Sequence, residues 1–151
     1  MATTGPEGRA DLETLLATMP FSVACGVRLE AASAERVSGR LEWAPERCTA
    51  AGVLHGGALM TLADSLGAIC AFLNLPPGAS TSTIESKTNF LRAVRSGHVT
   101  AVARPIHIGR STIVVQTDVR DAGDRPVAIV IQTQAVQTSP GVPGPTPRDS
   151  S

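Results

Sequence analysis

The longest apolar segment of the chain, residues 53–73, carries its hydrophobic side chains at helical spacing. Large apolar residues recur at steps of three and four, at Leu59, Leu62, Leu66, Ile69 and Leu73. This spacing puts them on one stripe of a helix, and we expect that stripe to face a core. The opposite side is also small or apolar apart from Asp64, so we expect a helix covered all round, with its acid shielded from bulk water.

The residues at the start of this segment, His55, Gly56 and Gly57, favour the approach of a ligand. Two successive glycines leave no side-chain bulk beside N–H groups that have no acceptor within the helix. Gly57 and Asp64 are almost two turns apart and project to the same side. An electrophile polarised at the helix start would lie along the side from which Asp64 activates or delivers a nucleophile. The competing interpretations are a simple Gly-Gly turn and an aspartate with a purely structural hydrogen bond.

The rest of the chain shows one short helical pattern and several alternating patterns typical of strands. Residues 10–19 are predicted to form an amphipathic helix that Pro20 ends, and residues 21–26 a turn. The predicted strands cover residues 27–31, 35–43, 80–91, 98–108, 111–120 and 126–137. The simplest packing for this order is an α+β domain, in which an antiparallel sheet curls around the long helix. A homodimer that joins sheets edge to edge would cover the edge strands and the open sides of both helices.

The predicted strand 80–91 is unusually polar on both faces. Strict alternation places Ile84, Ser86 and Phe90 on one side and Thr83 on the other. A strand of this composition is a poor core strand, so we expect it to line a polar interface or a cleft.

The two ends of the chain differ in composition from the middle. Residues 1–8 are small and polar with Gly and Pro, and we predict that they are disordered. Residues 139–151 are rich in Pro, Gly and Ser and are predicted to form a flexible tail. Residues 9–138 then form a single domain, in line with the length of 151 residues.

Composition excludes several classes of partner. The formal net charge is zero, so no overall basic field favours nucleic acid or an anionic membrane, and the long helix is too polar, with Thr61, Asp64 and Ser65, for a membrane span. Three distant cysteines form neither a zinc motif nor a disulfide framework, and we expect no metal. With no signal peptide pattern at the start, these features predict a cytoplasmic protein.

Three motifs together resemble the hotdog-fold acyl-CoA thioesterases, in particular the group that includes phenylacetate-pathway and 4-hydroxybenzoyl-CoA thioesterases. The first is residues 52–57 (GVLHGG) followed by 62–64 (LAD), the second is 83–85 (TIE) with 89–92 (NFLR), and the third is 109–112 (GRST). The resemblance covers roughly residues 20–137 and implies the hotdog fold. It also implies a homodimer that pairs further into a homotetramer, and acyl-CoA as substrate, with coenzyme A as part of that substrate and no separate cofactor.

The resemblance implies roles for the candidate catalytic residues. The acid placed as Asp64 acts in that family as nucleophile or general base, and the backbone N–H of the glycine matching Gly56 polarises the thioester carbonyl. A hydroxyl placed as Thr83, contributed by the partner subunit, helps to hold the attacking water. His55 lies beside the thioester, where it either takes part or only shapes the turn. Thr49 departs from the family, because many relatives carry Asn or Gln there, and its shorter hydroxyl could hold a water without spanning the same distance.

The remaining candidates concern substrate binding. Arg92 and Arg110 are candidates for the phosphates of coenzyme A, with surface arginines as the competing interpretation, and Lys87 is a weaker candidate. The apolar side chains suit an aryl or medium-chain acyl group. The full set of predicted substrate contacts is Gly57, Leu59, Met60, Phe90, Arg92, Gly109 and Arg110.

Two alternative functions accompany this hypothesis. A non-catalytic protein that binds acyl-thioesters would keep the fold and lose the chemistry, and Thr49 leaves that open. An enoyl-thioester hydratase is disfavoured, because such relatives use an Asp and a His a few residues apart and no histidine lies just beyond Asp64.

Overall fold

The computed structural model describes residues 6–138 of the chain. Three helices precede or cross the sheet: α1 (Pro6–Ala17), α2 (Pro20–Ala24) and α3 (Gly56–Phe72), with a short 3-10 helix at Pro45–Arg47. The strands are β1 (Arg28–Ala32), β2 (Val37–Glu42), β3 (Ala79–Phe90), β4 (His98–Ile108), β5 (Thr112–Asp121) and β6 (Pro126–Thr138).

The six strands form one sheet in the order β1-β2-β4-β5-β6-β3, and all neighbouring pairs are antiparallel. The helix α3 packs across this sheet through the predicted stripe, and Leu62 and Leu66 are fully buried. They meet apolar side chains from the strands, including Val99, Ile113 and Val115. The predicted architecture, an antiparallel sheet curved around one long helix, is confirmed. The strand β3 lies at one edge of the sheet, which matters for the site.

The region around Pro20 differs from the prediction. Residues 21–26 were expected to form a turn, but Pro20–Ala24 is a second helix. The N–H groups in the first turn of a helix have no acceptor within the helix, so proline, which has no N–H, is well suited to this position. Pro20 therefore both ends one helix and starts the next. The helix α1 also begins earlier than predicted, at Pro6. Residues 1–5 and the predicted tail 139–151 lie outside the described residues.

The strand β3 contains an irregularity that changes which side chains face the helix. Thr83 is paired with Gln134 and Glu85 with Thr133, so Ile84 is an extra residue in the ladder. A β-bulge of this kind resets the alternation of sides, because the side-chain period of a strand is two. The strict alternation predicted above is therefore wrong at Thr83, which shares the helix-facing side with Ser86.

No helix in the described part of the chain is long and apolar enough to cross a membrane.

Candidate active site

The first turn of α3 leaves one backbone N–H open. His55 precedes the helix with extended backbone (ψ 135°), and its Nδ1 accepts the N–H of Gly57 at 2.8 Å. Because Nδ1 is the acceptor, the proton of the neutral ring lies on Nε2. The N–H of Gly56 has no acceptor within residues 6–138. A helix start with a free N–H is a suitable place for an anion or a polarised carbonyl oxygen.

A groove of about 470 Å³ opens beside this N–H. Its lining includes five of the residues predicted from the sequence: Thr49, Gly56, Leu59, Phe90 and Arg92. The ring of Phe90 lies against Gly56, where a Cβ atom would come within 3.0 Å of it. The glycine therefore allows the ring to lie this close, and a Cβ here would push the half-exposed Phe90 side chain back by a few tenths of an ångström. The predicted helix-start site and one predicted phosphate ligand share a groove in the fold.

Thr49 is held in this groove by its backbone. Its N–H donates to the carbonyl oxygen of Val53 at 2.8 Å, and its own carbonyl oxygen accepts the N–H of Gly52 at 3.0 Å. The hydroxyl has no hydrogen-bond partner in the part of the chain that the structure describes. It is therefore available to a water molecule or a ligand.

A second groove, of about 430 Å³, lies at the same helix start and contains His55 and Gly57. The short helix α2 supplies one wall of it, with Phe21 and Ala24. The histidine thus lies in a different groove from Thr49 and Phe90. This groove was not predicted from the sequence, because a turn was expected where α2 forms.

Asp64 lies further along α3 and is exposed in the single chain, with Met60 on the same side of the helix. The expected shielding of this acid is therefore wrong for one chain, because the chain's own sheet covers only the opposite side of the helix. The hydroxyl of Thr83 donates to Oδ1 of Asp64 at 3.3 Å. This contact forms within one chain, whereas the hydroxyl was expected from the partner subunit.

Two buried glutamines of β6 lie behind this pair, and the sequence analysis missed both. Gln132 donates through Nε2 to Oδ1 of Asp64 at 3.3 Å. Gln134 donates through Nε2 to the hydroxyl of Thr83 at 2.8 Å. Both side chains are almost fully buried. The sequence does contain a signal for them. Gln132 and Gln134 follow the apolar Val130 at steps of two, which places both amides on the same, core-facing side of the strand.

The two halves of the predicted site are far apart in one chain. Gly56 and Asp64 are separated by eight residues of α3, a rise of about 12 Å. Gly109 and Arg110 lie in neither groove, in the turn between β4 and β5, where the N–H of Gly109 donates to the carbonyl oxygen of Thr112 at 2.8 Å. Within one chain, the helix start and the acid therefore lie at two separate places.

The three cysteines are free thiols. Burial raises the pKa of Cys70 to about 11, so this thiol stays protonated and unreactive at neutral pH. Cys25 and Cys48 are half-buried, and both line the second groove. Among the described residues, no group of three or more His, Cys, Asp or Glu is placed to hold a metal ion.

The fold, the open helix start and the GVLHGG motif define a class of protein. The chain belongs to the thioesterase superfamily, whose sequence profile matches residues 51–128, more than half of the chain, and it is a thioester hydrolase by class. This agrees with the family resemblance found in the sequence.

Individual relatives support the assignment. The chain is 39% identical over 131 residues to PA1618 of Pseudomonas aeruginosa, which is named an esterase; the match covers 83% of this chain and 89% of that protein. The crystal structure of a glutamine-to-alanine mutant of the thioesterase PA1618 matches with a TM-score of 0.79 at 35% identity, covering 84% of this chain and 94% of the other. The thioesterase HI1161 of Haemophilus influenzae matches with a TM-score of 0.79 at 28% identity, covering 91% and 93%. The hotdog fold is thereby confirmed.

Proposed function

We propose that the protein hydrolyses acyl-CoA, releasing the free acid and coenzyme A, with an aryl or medium-chain acyl group as substrate. The carbonyl oxygen of the thioester accepts the open N–H of Gly56. Asp64 either removes a proton from the attacking water or attacks the carbonyl itself, which forms an anhydride that water then opens. In both routes one water is consumed and the thiolate of coenzyme A leaves and is protonated.

The observation that carries this proposal is the arrangement of two polar groups along α3. One is a free N–H in a groove, and the other is an exposed carboxylate that Thr83 holds through one oxygen. A nucleophile and an oxyanion donor must both lie about 3 Å from the reacting carbonyl group. Because about 12 Å of helix separates Gly56 from Asp64, one chain does not satisfy this requirement. The site that we propose combines Gly56 of one chain with Asp64 of a second.

A homodimer supplies that combination. The edge strand β3 has twelve residues and an exposed Ile84, and the exposed side of α3 carries Met60 and Phe72. Two copies that pair along β3 about a two-fold axis bury these apolar groups and place their α3 helices side by side and antiparallel. The start of each helix then faces the middle of the other, where Asp64 lies. We further propose that two dimers form a homotetramer through the outer side of the sheet, where Ile131 is exposed.

Substrate binding follows from the groove beside Gly56. Leu59 and Phe90 give it an apolar lining for the acyl group, and Arg92 gives it a cation for the coenzyme A phosphates. We propose a weaker contribution from Arg110, which lies outside the groove. The proposed reaction uses no metal and no cofactor beyond the coenzyme A of the substrate, and free thiols at all three cysteines suit the cytoplasm.

The test is the Asp64→Asn variant, measured with aryl, short, medium and long acyl-CoA. We expect turnover to fall by about a hundredfold or more, because the amide neither takes a proton nor attacks. The measurement follows the loss of thioester absorbance, since Cys25 and Cys48 would react with a thiol reagent. Undiminished turnover in the variant would contradict the proposal. Acyl-CoA that binds to the unmodified protein and survives for hours would favour the non-catalytic binding protein.

A further inference from the structure

We infer that Gln132 and Gln134 are positioning residues that fix the Asp64 carboxylate through Oδ1 and leave Oδ2 as the oxygen that reacts. This inference rests on the proposed role of Asp64. It assigns function to two residues of β6 that do not touch the substrate.

The hydrogen bonds to Asp64 are confined to one oxygen. Oδ1 accepts the Thr83 hydroxyl at 3.3 Å and Nε2 of Gln132 at 3.3 Å. No donor from the side chains of residues 11–138 or from the described backbone contacts Oδ2. A carboxylate held in this way keeps its orientation and presents its other oxygen, with free lone pairs, on the exposed side of α3.

Gln134 sets the direction of the Thr83 hydroxyl. A hydroxyl has a single proton, and because Nε2 of Gln134 donates to its oxygen at 2.8 Å, that proton is free to point to Asp64. If the Gln134 amide were turned by 180°, its Oε1 would accept the proton of the Thr83 hydroxyl. The Asp64 carboxylate would then face a lone pair of the Thr83 oxygen and not its proton. The hydroxyl of Thr81 lies 3.2 Å from Oε1 of Gln134, and its single proton is shared with the closer carbonyl oxygen of Ala135 at 2.8 Å.

Gln132 is held in place by the helix itself. Its Nε2 also donates to the carbonyl oxygen of Asp64 at 3.5 Å, so it contacts the backbone and the side chain of one residue. Its amide fits against Gly67, one turn further along α3, where a Cβ atom would overlap the amide. A glycine in the middle of a helix is unfavourable for helix formation, and here it leaves room for this side chain.

We expect this arrangement to lower the stability of the fold, which points to a functional demand. Oε1 of Gln132 is buried and has no hydrogen-bond donor in the part of the chain described. A methionine would fill a similar volume without a buried polar atom that lacks a partner. Polar groups that break such a rule are typical of functional sites.

The experiment compares Gln132→Met with the control Thr117→Val, which removes another buried oxygen that has no hydrogen-bond partner among the described residues, on the core side of β5. For Gln132→Met we expect kcat to fall between about tenfold and a hundredfold because the acid is misaligned, with KM nearly unchanged. We also expect the Tm to stay the same or rise, since the unpaired Oε1 is removed. Thr117→Val should leave kcat unchanged. A lower Tm with an unchanged kcat would overturn the inference, because it would show a purely structural role.

Gln134 is tested separately, through Thr83. If Gln134 acts by directing this hydroxyl, Gln134→Met lowers kcat in the unmodified chain and has no further effect in a Thr83→Val chain. Equal losses in both backgrounds would overturn the role of Gln134. Asp64→Asn, measured alongside, distinguishes a failure of this inference from a failure of the proposed function. If Asp64→Asn is inactive while Gln132→Met is fully active, only this inference fails, whereas an active Asp64→Asn overturns the proposed function and the inference together.

Discussion

Thr83 and Asp64 contact each other within a single chain, with 3.3 Å between the hydroxyl and the carboxylate oxygen. The acid therefore has its hydroxyl partner before any second chain binds. What one chain lacks is a carbonyl-polarising N–H within reach of that acid, because Gly56 is about 12 Å away along the helix. The division of the proposed site between two chains thus falls between Gly56 and Asp64.

A mixing experiment tests this division. Asp64→Asn chains and Gly56→Pro chains are each expected to be nearly inactive, and they are combined by co-expression in equal amounts. Random pairing makes half of the dimers mixed, and each mixed dimer has one intact site of two, so activity should return to about a quarter of the wild-type value. A site contained in one chain gives no recovery at all. Co-expression of Asp64→Asn with itself under another tag is the matched control.

The Gly56→Pro variant removes the N–H that is proposed to polarise the carbonyl. Its Cβ also presses on the Phe90 ring, so Gly56→Ala, which adds the same Cβ and keeps the N–H, is the matched control. Proline is well tolerated at the first position of a helix, and the backbone of His55 (φ −63°, ψ 135°) already has the conformation that precedes proline. We expect kcat to fall about a hundredfold to a thousandfold. Circular dichroism should show an unchanged helix content. Nearly normal turnover in the folded variant would mean that another group polarises the carbonyl.

Arg92→Met tests the coenzyme A end of the groove. The guanidinium has no ion-pair partner among the side chains of residues 11–138, so it is available to a phosphate. We expect KM for acyl-CoA to rise between about threefold and tenfold, with less effect at high salt. KM for an acyl thioester of a short thiol without phosphates should not change. Arg104→Met, on an exposed residue of β4, is the control, and an equal effect of both variants would argue against the assignment.

Asp121 gives the fold a defined response to acid. Its carboxylate accepts the N–H groups of Gly123 and Arg125 at 2.9 and 3.0 Å and pairs with the Arg125 guanidinium at 2.8 Å. The backbone hydrogen bond from Arg125, with these other contacts, lowers the pKa of Asp121 below its ordinary value. A lowered pKa stabilises the fold above the unfolded-state value of about 4, and this contribution is lost as the pH falls through the folded-state pKa.

We therefore expect Asp121→Asn to be less stable than the wild type in urea at pH 7. The difference should shrink progressively below about pH 4, because the wild-type carboxyl is then also uncharged. Asp118→Asn, on the same strand, is measured alongside as the comparison. A difference that is constant from pH 7 to pH 3 would contradict the role of the charge.

The sequence was sufficient wherever the signal was local. The helical spacing of Leu62 and Leu66 gave α3 and its buried side, and the two glycines after His55 gave the open helix start. Thr83 was assigned to the wrong side of β3 because the bulge at Ile84 is defined by pairing with β6, not by the residues of β3 itself. The same applies to Gln132, whose contact with Asp64 spans sixty-eight residues of the chain. The exposure of Asp64 depends on how much of α3 one sheet covers, and no periodicity contains that information.

The bulge at Ile84 makes the irregular pairing of β3 with β6 a requirement in its own right. The strand carries Thr83, which holds the acid, and Phe90, which lies against the helix start, and both face α3 only because one extra residue lies between them. Thr83 and Phe90 are seven positions apart, so in a regular strand they would point to opposite sides and one of them would turn away from α3. The irregular pairing of one edge strand, with no chemistry of its own, thus determines whether the acid keeps its hydroxyl.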